Sequence, residues 1–238
     1  MKRITALLLC LLLAGLSACS LTEATEEEEP FSADFTIREN PEPTEVFMDS
    51  VYSGETKVYS SDSINIADLR ALLSETVFGS KKTVSLWKKE IYYAFDGTFN
   101  AENIEVVNEI AGDFDQCTAF PGMCEMLPNS ADLLIRFADE PSDLTYTTDA
   151  YGYITGGTIT IPADLPAAQQ KALLYASLFH VCGFFGKAET ALDSILSENP
   201  TNVPQEIDWI LLDFLYSGAD AGMTESECLN ALDAFIMN

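Results

Sequence analysis

Leu173–Gly186 reads LLYASLFHVCGFFG and holds His180, the only histidine in a chain of 238 residues. Pro166 stands shortly before it. Proline suits the first turn of a helix, so AAQQKALLYASLFHVCGFFG is expected to run as one helix from Ala167. The C-terminal half of that run is apolar nearly all round, a pattern that places a helix between layers of a folded domain.

The flanking segments supply the layers. Ala131–Phe137, ADLLIRF, and Gly152–Pro162, GYITGGTITIP, read as strands, the second with alternation in its later half. Upstream, Thr83–Phe99 is rich in aromatic and β-branched residues and reads as a strand, with Asp96-Gly97 as its turn. Asn65–Thr76 and Ala101–Phe114 carry apolar residues at helical spacing; in the second, Ile104, Val107 and Ile110 share a face. Ile207–Tyr216 and Glu225–Met237 close the chain as helices. This order predicts an α+β domain: a mixed twisted sheet packed on a central helix, followed by a helical C-terminal part.

The N-terminus has a different grammar. MKRITALLLCLLLAGLSAC sets two basic residues before an apolar run and ends in small residues, the order of a secretory signal over residues 1–18. Leu16-Ser17-Ala18-Cys19 also resembles a bacterial lipobox. That resemblance implies cleavage before Cys19 and a lipid on that cysteine, and so an extracytoplasmic protein anchored to a bacterial membrane. Residues 19–45 are acidic and proline-containing and read as a flexible tether, which leaves residues 46–238 as one domain with a real core.

The chain has 38 Asp and Glu against 12 Lys and Arg, a formal net charge of −26. Such a surface repels nucleic acid and anionic headgroups, so no nucleic-acid partner is expected. Four cysteines follow the tether: Cys117, Cys124, Cys182 and Cys228. In an oxidising compartment they are expected to form disulfides, and three pairings are open. Cys117 and Cys124 bracket the short loop QCTAFPGMC, which favours Cys117–Cys124 and leaves Cys182–Cys228. A metal site built from these cysteines is disfavoured, because no Cys-x-x-Cys spacing occurs.

Several stretches, taken in order, resemble the metzincin type of zincin, the fold of secreted zinc peptidases. SLWKKEIYYAFDG is similar to the first strand of such domains, and ADLLIRF and GGTITIP to the strands before the active-site helix. DSIL at Asp193–Leu196 stands where the family has its Ser-Ile-Met turn, and VPQEIDWILLDFLY is similar to the helix that follows. The resemblance covers most of the chain from about Val84 to Tyr216. The chain also resembles an uncharacterised family of bacterial secreted proteins that keep this architecture without the zinc motif.

The resemblance implies a motif of two histidines four apart, a general-base glutamate between them, a glycine and a third ligand. In this chain those positions are Ala176, Ser177, His180, Gly183 and Gly186. Ala176 has no lone pair to offer, and Ser177 is far too weak a base at neutral pH to replace a carboxylate. The site is expected to be degenerate, with no catalytic residue and no cofactor. Glu189 and Asp193 could approach His180 and give an alternative metal set, the basis of a metal-dependent peptidase or hydrolase with non-standard ligands.

Other chemistries have no support. Ser177 lies three residues before His180 in an apolar run without an oxyanion-hole motif. Asp113 and Asp115 lack the further acids and glycine of a calcium loop, and no Gly-rich phosphate loop occurs. The expected function is therefore that of a binding or structural module. Its ligand is expected to be an extended peptide or protein segment, received along Gly152–Pro162 as an edge strand.

Overall fold

A computed structural model describes residues 65–189 and 193–237. The signal, the tether, Cys19 and the stretch 46–64 lie outside the described residues. Helix α1 (Ile66–Val77) opens the described chain, capped by the Asn65 side chain, which accepts from the Ala67 amide at 3.0 Å. Next come β1 (Leu86–Trp87), β2 (Ile91–Gly97), α2 (Ala101–Asp115) and β3 (Met123–Glu125). The central part holds β4 (Leu133–Ala138), β5 (Asp143–Thr148), β6 (Tyr153–Pro162) and α3 (Ala167–Val181). Helices α4 (Glu206–Ser217) and α5 (Glu225–Ile236) complete it. Among the described residues no helix is long and apolar enough to cross a membrane.

The α+β class is as the sequence predicts. Six strands form one sheet in the order β1-β6-β4-β2-β3, with β5 also paired to β6. Every pairing is parallel except β5 with β6. Alternation sets the buried face: Leu133, Ile135 and Phe137 of β4 are fully buried, and the register puts Ile135 between Phe95 of β2 and Ile159 of β6. The segment from Thr83 to Phe99 is two strands, not one. β1 pairs with β6, the charged residues Lys88, Lys89 and Glu90 stand exposed, and β2 then pairs with β3 and β4.

Helix α3 starts at Pro166, whose carbonyl accepts from the Gln169 and Gln170 amides. Every residue from Ala172 to Val181 is buried, as the all-round apolar pattern requires. Phe179 packs with Phe114 of α2 and Trp209 of α4, ring centroids 4.9 and 5.2 Å apart. Two donors satisfy the last carbonyls of α3, which have no partner within the helix. Trp87 Nε1 donates to Val181 O at 2.9 Å, and the Tyr216 hydroxyl to Cys182 O at 3.0 Å.

Two expectations are corrected. Gly152–Pro162 does not form an edge strand: β6 has β4 on one side and β5 on the other, and among the described residues β5 pairs with β6 alone. The disulfides Cys117–Cys124 and Cys182–Cys228 are absent, and all four residues are free cysteines. The loop that was expected to be closed by a bridge instead leads into a strand. Cys124 stands exposed on β3, while the Cys117 thiol donates to Asp213 of α4 at 3.4 Å. Cys182 is buried at the end of α3 and Cys228 is buried in α5, each within apolar packing.

Candidate functional site

Helix α3 fixes the positions singled out in the sequence. Ala176, Ser177 and His180 are all buried, and His180 is only 1% exposed. The imidazole turns to its own chain: Nδ1 bonds the Phe184 carbonyl. A carbonyl oxygen can only accept, so Nδ1 carries the proton. Burial pushes the His180 pKa down to about 4; the Phe184 carbonyl opposes this and Lys187 adds to it. The ring is neutral at physiological pH.

The two glycines of the run close the site sterically. Gly183 has φ +118°, and a Cβ there would stand 2.6 Å from the Ser85 carbonyl oxygen and 3.1 Å from Leu215. At Gly186 the amide donates to Thr76 O at 2.6 Å, and a Cβ would come within 2.1 Å of Glu75 O. The backbone at the end of α1 therefore fills the space that a ligand side chain at position 186 would need. Glu189 and Asp193 are both exposed, unlike His180. Among the described residues no group of three or more His, Cys, Asp or Glu is placed to share a metal ion, so His180, Glu189 and Asp193 are not brought together. The residues present do not fit the zinc centre that the family resemblance implies.

A second buried ionisable group, overlooked in the sequence reading, lies under the turn Asp193–Leu196. Asp208, on the first turn of α4, is 0% exposed. Its Oδ1 accepts from the Ser194 hydroxyl, and its Oδ2 from the Ile195 amide at 3.0 Å and the Gln205 amide at 2.7 Å. Leu196 N in turn donates to Ser194 Oγ at 2.9 Å. Burial pushes the Asp208 pKa up to about 6, against those three donors. The available signal was an acid inside EIDWILL, where the neighbouring apolar residues must be buried.

Three of the cysteines, Cys117, Cys182 and Cys228, are poor nucleophiles. Burial pushes the Cys117 thiol up to about 12, helped by the neighbouring Asp213, and it raises Cys182 further still. Cys228 is pushed up to about 12 by burial alone. So little thiolate forms near neutral pH that these residues act as small apolar side chains.

Beside α3, Tyr146 of β5 stacks on Phe185 with ring centroids 4.0 Å apart and planes 15° from parallel. The Lys81 ammonium lies beside this stack, 4.8 Å from the Tyr146 centroid and 5.6 Å from that of Phe185. β5 was not anticipated, since DLTYTT has one aliphatic residue, although its threonines favour a strand.

No family model matches the chain, and no curated protein matches it. Fold and site together define an α+β domain with a mostly parallel sheet and a buried central helix whose one histidine is held within the core.

Proposed function

We propose that this chain is a membrane-anchored extracytoplasmic lipoprotein whose domain is a zincin-like binding module without peptidase chemistry. The lipid is carried by Cys19, and the partner is an extended peptide or protein segment. The order strand, helix, strands, central helix and helical C-terminal part supports a zincin-like reading, as does the direct passage from β6 through Pro166 into α3. The functional conclusion is carried by the two positions that would complete a metal set with His180. A ligand histidine must present a ring nitrogen to a shared metal, with two more donors converging on it. Here position 176 is Ala, and position 186 has no room for a side chain.

The correction to the sheet moves the binding strand from β6 to β5, which lies along β6 and, like the shorter β1 and β3, has one described neighbour. An extended segment would bind by main-chain pairing, with alternate side chains giving selectivity. Metal analysis of the purified protein tests the inactive reading. Stoichiometric zinc that survives dialysis and is lost in His180→Ala would sink it in favour of a metallohydrolase. Labelling with a radioactive fatty acid tests the anchor; the label should disappear in Cys19→Ser.

A further inference from the structure

The partner's chemistry can be narrowed, on the basis of the peptide-binding reading above. Gly157 of β6 donates its N–H to Asp132 O, on the β4 side, and Gly157 stands opposite Tyr146 of β5. In an antiparallel ladder the opposed residues share one state, so Tyr146, and Leu144 in the same alternation, belong to the set whose N–H and C=O turn away from β6. An added strand would read this outward set. The side chains along β5 are arranged around one ring pair: Tyr146 is half-buried and stacks flat on the buried Phe185, with the Lys81 ammonium beside the stack. The chain thus shows what those rings hold, a cation close to both ring centroids. Acids flank the strand: Asp139 and Glu140 before it, Asp143 at its first position and Asp149 after it, in a chain of net charge −26. A field of that sign draws cationic segments in and repels acidic ones.

We propose that β5 accepts an extended, lysine- or arginine-bearing segment of another protein as an added strand, with one basic side chain seated on the Tyr146–Phe185 pair in the place that Lys81 holds. Lys81 is then a resident competitor that yields to the incoming cation. This gives Lys81 and Tyr146 opposite roles, which a purely structural function of the cluster would not.

The test uses the full-length chain in mild detergent and fluorescence anisotropy of short labelled peptides alternating lysine, serine or glutamate with threonine. The lysine peptide should bind about tenfold more tightly than the serine peptide and weaken as salt rises. Lys81→Gln should tighten it about threefold, and Tyr146→Thr should weaken it about tenfold. Lys81 is only half-buried, so its variant carries the test even where Tyr146→Thr fails to fold. Equal binding of lysine and serine peptides, or a Lys81→Gln variant that binds no better, overturns the cation seat and leaves the peptide-binding reading standing. Failure of all three peptides to bind removes both. Self-association in sedimentation that the lysine peptide cannot displace assigns the strand to a second copy of the chain and overturns the proposal.

Discussion

His180 and Asp208 are both fully buried ionisable groups, each beside a turn that leaves a helix or enters one, and burial acts on them in opposite senses. For the imidazole it lowers the pKa to about 4, for the carboxyl it raises it to about 6, and in both it favours the neutral form. Their surroundings differ in kind. His180 ties the end of α3 to the Phe184 carbonyl, inside a run whose following glycines press against other backbone. Asp208 gathers three donors from a turn and a helix start that are otherwise separate in the chain. The histidine is thus a packed side chain that meets its polar need locally, whereas the aspartate organises the loop around it. Residue type alone would have ranked them the other way.

Substitutions should separate the two regions, beginning where backbone meets backbone. Gly186→Asp returns a ligand-type residue to the third motif position, but its Cβ would stand 2.1 Å from Glu75 O. Unfolding titrations should show a loss of about 4 kcal/mol or more, and no gain of zinc affinity. Wild-type stability in that variant would mean that α1 yields easily. Asp208→Ala leaves the Ser194 hydroxyl and the Ile195 and Gln205 amides without their acceptor, at a cost of about 3 kcal/mol. Hydrogen exchange at those two amides should rise with it, an effect not expected at the end of α3. His180→Leu keeps apolar bulk and takes the Nδ1 donor from the Phe184 carbonyl, so about 2 kcal/mol is expected in the same titration.

The sequence made these two regions unequally readable. The all-round apolar character of Leu173–Phe185 was enough to place α3 in the core, because no exposed face could be drawn on it. That His180 is buried followed from the same pattern; its bond to Phe184 did not, because a four-residue reach depends on how the chain leaves the helix at Gly183. β5 was illegible for a related reason: its register with β6, and hence that β6 is covered on that side, is a long-range property that DLTYTT does not encode locally. The pairing of the cysteines failed on the same ground. Short sequence separation suggested Cys117–Cys124, but β3 carries Cys124 to the surface while α4 holds Cys117 by Asp213.

The smallest effect is also the sharpest test of the comparison, since it turns on sign. His180 has a folded pKa of about 4, below its ordinary value of 6.5, so its contribution is present above pH 6.5 and is lost as pH falls toward 4. Asp208 has a folded pKa of about 6, above its ordinary 3.8, so its contribution is present below 3.8 and is lost as pH rises through 6. Between pH 7 and pH 5 the two therefore oppose each other, each by about 1.5 kcal/mol. The many exposed carboxylates titrate in every variant, so the informative quantity is the change in pH slope relative to the parent. Asp208→Asn removes the opposing partner, and stability should fall more steeply on acidification than in the parent. His180→Leu should do the reverse, holding or gaining stability over the same interval. Chemical denaturation followed by circular dichroism at pH 5, 6 and 7 reads both slopes. If the two variants shift the slope in the same direction, one of the two groups is charged in the folded protein, and the contrast between the regions fails.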